Sequence, residues 1–160
     1  MGRRRTIRAT VNETEYEKEV DVRKTLADFL REDLSLRGTH LGCEHGVCGA
    51  CTILFNDVSV RSCILYAVQA DGADILTVEG LAPAGGPLHP IQEAFRGHHG
   101  LQCGFCTPGF LMSALELLVE KRDLSEEEIR EAISGNLCRC TGYQGIVEAI
   151  RAADETWERM

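Results

Sequence analysis

Eight cysteines fall in two groups of four, and their spacing restricts the fold more than any other feature of the chain. Cys43, Cys48, Cys51 and Cys63 read C-x4-C-x2-C, with the fourth cysteine after eleven further residues. That is the plant-type spacing of a [2Fe–2S] cluster. Cys103, Cys106, Cys138 and Cys140 read C-x2-C, a gap of 31 residues, then C-x-C. No cysteine is left over. A chain that commits all its thiols in this way reads as an electron carrier.

Bulk properties narrow the setting. With 160 residues there is room for one ordinary domain or two small ones. The net charge of −8, from 17 basic and 25 acidic residues, argues against nucleic acid as a partner. Arg3, Arg4 and Arg5 read as a solvated tail. A twin-arginine export signal needs an apolar stretch after the arginines, whereas Thr6 to Glu19 is polar and alternating. No window approaches the ~18 apolar residues of a membrane span. The expected location is cytoplasmic, where eight cysteines do not make four disulfides. Metal or redox chemistry follows.

The chain divides into residues 1–80 and 81–160. In the first part Ile7, Ala9 and Val11 alternate with polar residues as in a half-buried strand. Asn12 to Thr14 supplies a turn, and Tyr16 to Val20 returns as a second strand. Thr25 caps a helix whose face carries Leu26, Phe29, Leu30 and Leu34. Thr52 to Phe55, Val58 to Val60 and Ile75 to Val78 are further strands. Ala82 to Pro87 is a Pro/Gly linker. Beyond it the apolar period becomes helical. A short helix spans Pro90 to Arg96 with Ile91, Ala94 and Phe95. A second starts at Thr107-Pro108 and carries Phe110, Leu111, Leu115, Leu118 and Val119. Ser125 and Glu128 form a capping box for a third helix that ends by Gly135. Ile146, Ile150, Ala153 and Trp157 line a fourth.

A [2Fe–2S] cluster needs four thiolates around two irons and backbone amides aimed at the sulfurs. The loop Cys43 to Cys51 suits this, because Gly42, Gly46 and Gly49 permit backbone angles and close approaches that a side chain would block. Cys63 closes the cage from a strand end. Zinc or buried structural cysteines are the competing reading, and interleaved glycines disfavour it. The second group is more ambiguous, because two short pairs also fit a four-cysteine zinc ribbon. Cys106 lies at a helix start, where free amides and the positive dipole end offset thiolate charge. His45 lies within the first loop, but four cysteines already fill the ligand set. His89, His98 and His99 read as surface residues. Arg139, between two cysteines, serves either to tune a cluster or simply as a solvated charge. The sequence contains neither G-x-G-x-x-G nor G-x4-G-K-[ST], and no nucleophile–base constellation. The bond chemistry must therefore reside elsewhere.

Three stretches together, Gly42 to Cys51, Gln102-Cys103-Gly104-Phe105-Cys106-Thr107-Pro108-Gly109, and Gly135-Asn136-Leu137-Cys138-Arg139-Cys140-Thr141-Gly142-Tyr143, closely resemble one family. It is the small iron–sulfur subunit of the molybdenum hydroxylases, the group of xanthine dehydrogenase, aldehyde oxidoreductase and aerobic carbon monoxide dehydrogenase. The resemblance runs from about Thr6 to Ala152. It implies an α+β fold, with a plant-ferredoxin-like β-grasp domain followed by a four-helix [2Fe–2S] domain. It implies two [2Fe–2S] clusters, on Cys43/Cys48/Cys51/Cys63 and on Cys103/Cys106/Cys138/Cys140. It further implies that Gln102 and the region of Cys140 contact a molybdopterin cytosine dinucleotide held by a large subunit, and that FAD sits on a medium subunit. Electrons would pass from molybdenum through the second group and then the first to FAD. Because the sequence stops at Met160, the molybdenum and flavin sites are expected on separate polypeptides, in a dimer of heterotrimers. The substrate, set by the large subunit, would be carbon monoxide, an N-heteroaromatic or purine, an aldehyde or an aromatic acyl-CoA. The residues alone leave two other classes open: a free-standing two-cluster ferredoxin and a zinc-bearing interaction module.

Overall fold

The computed structural model describes residues 3–156. Trp157, expected on the last helix, lies outside the described residues.

The first half is built on two hairpins. Strands β1 (Arg4–Val11) and β2 (Thr14–Asp21) pair antiparallel, with Val11 opposite Thr14. The two connecting residues, Asn12 and Glu13, take φ of 50° and 63°. This is the left-handed turn whose twist matches that of the strands. Strands β3 (Thr52–Phe55) and β4 (Val58–Arg61) repeat the device through Asn56 and Asp57, at φ 50° and 67°. Strand β5 (Asp74–Leu76) joins them, parallel to β1 and antiparallel to β3, in the order β2-β1-β5-β3-β4. The expected strand through Val78 stops two residues early. Thr77 donates its N–H to Asn12 Oδ1 at 2.8 Å, so a side chain from the first hairpin turn takes the amide that would have continued the ladder. Val78 opens a 3-10 turn instead.

Helix α1 (Leu26–Asp28) lies against one face of this sheet. Its Thr25 cap is as expected, with the Asp28 N–H donating to Thr25 Oγ1 at 3.1 Å. The helix then widens into a π-helical turn over Phe29–Asp33. Leu26, Ala27, Phe29 and Leu30 are fully buried, and Leu34 is half-buried at the end of the face.

Four helices follow: α2 (Pro90–Gly97), α3 (Thr107–Glu120), α4 (Glu126–Ala132) and α5 (Gln144–Thr156). The Ser125 capping box forms, with Ser125 N–H donating to Glu128 Oε2 at 2.9 Å. Helix α3 is not a simple amphipathic element. Thr107 through Leu115 are all buried, because α3 is covered by the other helices on one side and by β3 on the other. Val119, expected to belong to the apolar surface, is half exposed near its end.

Strand β3 joins the two halves. Its period-two alternation sends Ile53 into the core under α1 and Leu54 into the helical core. The helical core thus includes a residue of a strand from the first half. Leu81, just ahead of the linker, is also buried in the helical core.

His89 differs from its expected surface role. Half-buried, it caps α2: its Nδ1 accepts from Ile91 N–H at 3.3 Å, while its own N–H donates to Gln92 Oε1 at 2.9 Å. His98 and His99 are exposed. Burial lowers the His89 pKa from its usual 6.5, so the folded protein binds this proton less readily than the unfolded chain. The cap therefore acts fully above pH 6.5 and weakens as pH falls through and below that value. Hydrogen exchange of the Ile91 to Glu93 amides, corrected for intrinsic rates, is expected to speed up at about pH 5 relative to pH 8. His89→Asn, which caps without titrating, should remove the difference.

Candidate metal centres

The first cysteine group sits on a loop between the π-helical turn and β3, with its start pinned by Arg31. That guanidinium donates to the carbonyls of Arg37 at 3.0 Å and Thr39 at 2.7 Å. Cys51 immediately precedes β3, and Cys63 lies in the single 3-10 turn Ser62–Ile64 after β4. The hairpin register that sets Thr52 opposite Arg61 brings these two cysteines together. Ser62 Oγ donates to Cys51 O at 2.8 Å, and the Cys51 and Cys63 thiols lie next to each other. Ala27 of α1 and Leu41 pack on this buried pair. Cys43 and Cys48 form the half-buried pair, with Cys48 N–H donating to Cys43 Sγ at 3.4 Å.

The second group is assembled from two helix boundaries. Cys106 is the residue before α3, and Cys138 and Cys140 follow the turn after α4. Cys103 and Cys140 are exposed, with sulfurs 3.6 Å apart. Cys106 and Cys138 are half-buried and lie next to each other. Thr141 donates to Cys138 Sγ twice, from its hydroxyl at 3.1 Å and its N–H at 3.4 Å. Tyr143 accepts the Cys138 N–H on its phenol oxygen at 2.9 Å and sets its ring edge-on to Phe110.

Each group holds thiols in opposed electrostatic settings. The N–H groups of His45, Cys48 and Val47 pull Cys43 down to about 6. Burial and then the adjacent Cys51 push Cys63 up to about 12. In the second group burial, with Cys138 alongside, pushes Cys106 up to about 12. Burial works against ionisation of Cys138 too, but the Thr141 donors outweigh it and its pKa is lowered. Cys140 is raised by its hydrogen bond with Cys103.

The eight thiols thus come as four facing pairs, Cys43/Cys48, Cys51/Cys63, Cys103/Cys140 and Cys106/Cys138. Among the described residues no three His, Cys, Asp or Glu side chains converge as the site of a single ion. Two pairs per group, with amides aimed at sulfur, fit two irons that each take two thiolates. The loop glycines fit the same purpose. Gly46 and Gly49 have φ of +84° and +75°, and a Cβ on Gly42 would lie 3.0 Å from Cys48 Sγ. His45 turns away to the Cys43 carbonyl. Gln102 is exposed beside Cys103, and Arg139 is exposed as well.

The two sites adjoin. Leu137 N–H donates to Cys48 O at 2.9 Å, linking a cysteine of one group to the residue next to Cys138 of the other. His40 stacks on Phe105 at 4.8 Å between ring centroids and donates from Nδ1 to Phe105 O at 2.8 Å. A Cβ on Gly109 would stand 2.1 Å from Gly49 O, and one on Gly49 would stand 2.5 Å from Gly135 O. Sequence reasoning assigned no role to His40, Asn136, Thr141 or Tyr143. Only Thr141 left a local signal, a hydroxyl three residues after a ligand-type cysteine in a Gly-containing turn.

Comparison with known proteins agrees with this geometry. Residues 9–77 match the 2Fe-2S iron-sulfur cluster binding domain, and residues 77–151 match the [2Fe-2S] binding domain. The chain is 59% identical over 149 residues to the nicotine 6-hydroxylase small subunit of Paenarthrobacter nicotinovorans, covering 93% of this chain and 82% of that one. It is 56% identical over 155 residues to the caffeine dehydrogenase subunit gamma of Pseudomonas sp. (strain CBB1), covering 95% and 92%. A chain in the crystal structure of quinoline 2-oxidoreductase from Pseudomonas putida 86 superposes with a TM-score of 0.92 at 51% identity, covering 95% of this chain and 94% of that one.

Two substitutions test the packing and the sulfur donors. Gly109→Ala forces its methyl against the backbone carbonyl of Gly49 and is expected to destabilise the loaded chain by about 1–3 kcal/mol, read as a lower denaturation midpoint. Thr141→Val keeps the shape but removes the hydroxyl donor to Cys138. Losing a hydrogen bond worth ~1 kcal/mol is expected to lower the second site's one-electron reduction potential by roughly 40 mV in a spectroscopic redox titration.

Proposed function

The chain belongs to the small [2Fe–2S] iron–sulfur subunits of the molybdenum hydroxylases, and on that premise we propose which residues carry electrons and which surfaces meet the partners. Its role is electron transfer within a multi-subunit oxidoreductase. It holds two [2Fe–2S] clusters and makes no substrate-converting site of its own. Cys43, Cys48, Cys51 and Cys63 hold one, and Cys103, Cys106, Cys138 and Cys140 the other. Bound there, each cluster supplies a one-electron carrier. The chain's own part is to present thiolates in pairs, aim amides and the Thr141 hydroxyl at sulfur, and keep the Cys51/Cys63 side dry.

The observation that carries this reading is the arrangement of eight thiols as four facing pairs in two adjoining sites. We read residues 1–80 as a plant-ferredoxin-like β-grasp domain and residues 81–160 as a four-helix domain. The mixed sheet, the four helices and the two family matches that meet at residue 77 support this. The exposed Cys103/Cys140 pair, with Gln102 beside it, is the side for the large subunit. There Gln102 and Cys140 contact the pterin of molybdopterin cytosine dinucleotide. The exposed apolar side chains of Leu101, Phe105 and Leu137 support a face covered by a partner, which a free ferredoxin would not need. Electrons leave through the first group toward FAD on a medium subunit, the whole forming a dimer of heterotrimers. We place the complex in the cytoplasm. Among the described residues no helix is long and apolar enough to cross a membrane.

Low-temperature EPR of the dithionite-reduced chain, with spins counted against iron, tests the assignment. Two distinct spin-½ signals are expected, with about two spins and four irons per chain. Cys106→Ser should remove one signal and keep the other. A single signal in the unmodified chain, with zinc on the remaining cysteines, would overturn the reading.

A further inference from the structure

The two cluster sites meet at a hydrogen bond from Leu137 N–H to Cys48 O, and the residues on either side of it are held by the same buried amide. Asn136 precedes Leu137, and Gly49 follows Cys48. Asn136 is only 1% exposed, and its side chain meets three partners. Nδ2 donates to Gly49 O at 3.0 Å and lies 3.4 Å from Thr52 Oγ1, while Oδ1 accepts from Ser113 Oγ at 2.9 Å. Thr52 Oγ1 in turn donates to Gly49 O at 2.6 Å and accepts from Arg61 at 2.7 Å. The other arm of Arg61 donates to Gly135 O at 2.8 Å. One network thus ties the first cysteine loop, β3, β4, α3 and the segment leading to Cys138.

We propose that Asn136 is the positioning residue for electron transfer between the two cluster sites, holding the Cys48 carbonyl on the Leu137 amide. The inference rests on the electron-transfer reading above. The shortest bonded connection between the groups runs from Cys48 through its own carbonyl, across that hydrogen bond, and along the backbone to Cys138. The step it serves moves one electron from the reduced helical-half site to the oxidised N-terminal site, with no bond made or broken. Packing alone does not require an amide here. An apolar side chain of similar size would fill the space but leave the Ser113 hydroxyl and one acceptor site of Gly49 O unused in a buried site, which costs stability. A fully satisfied buried network specifies one arrangement of the two backbones rather than a range of them.

The test uses the full chain loaded with both clusters, in which laser-flash photoreduction starts the redistribution of an electron between the two sites. Asn136→Ala is expected to retain four irons and both midpoint potentials, to slow redistribution about tenfold or more, and to change the spin–spin splitting of the fully reduced chain. Ser113→Ala, which frees only the Oδ1 end of the amide, is read alongside and should slow it less. A lower melting temperature with an unchanged rate, in every variant that keeps both clusters, would overturn the proposal. Absence of one EPR signal from the unmodified chain would instead bring down the electron-transfer reading itself, and this inference with it.

Discussion

The close approach of two backbones, the Cys48–Gly49 segment against Gly109 and Gly135–Leu137, is the constraint on which the remaining structure depends. No side chain fits between them, since a single methyl on Gly109 would overlap the Gly49 carbonyl. Such contact is affordable only where every buried polar group finds a partner. The Leu137 amide, the Asn136 side chain and the Arg61 guanidinium supply those partners. Helix α3 must then be buried on both sides, and β3 must serve two cores at once. The two halves are joined as one packed unit, and the Pro/Gly segment between them contributes little to that joining.

The electrostatics of the thiols follow from the same placement. Cysteines on the glycine-rich loop and beside Thr141 receive N–H and O–H donors that favour the thiolate, whereas those packed against α1 and α3 are disfavoured by desolvation. On the proposed assignment all four thiols of a group would bind as thiolates, and bound iron would supply the charge that offsets burial at Cys63 and Cys106. With clusters bound as proposed, the buried Cys51/Cys63 side would keep water from the sulfurs, and the donor-rich side would favour the added electron.

Much of this was legible in the chain. The cysteine spacing pointed to two [2Fe–2S] domains, which the two family matches bear out, because a cluster loop is local and its pattern is written in nearby residues. The alternation in β1, the Thr25 and Ser125 caps and the Pro start of α3 were equally readable, since each depends on residues within a turn or two. The misreadings had different causes, of which a distant partner was one. Asn12 ends β5 by taking the Thr77 amide from 65 positions away. The His89 cap is local but uses an imidazole nitrogen, which is not among the usual N-cap acceptors. Val119 lies near the end of α3, where it is left half exposed.

The sequence by itself determined the grouping of the cysteines, the [2Fe–2S] character of the two halves and the order of the elements. These rest on short-range spacing and period, which survive without knowledge of the fold. Only the tertiary structure decided how the eight thiols pair, which side of each site is exposed, and that Asn136, Thr141, Tyr143 and His40 matter. Those facts depend on contacts across as many as 87 positions, as between Asn136 and Gly49, and a buried amide gives no periodic signal that could reveal its partners in advance.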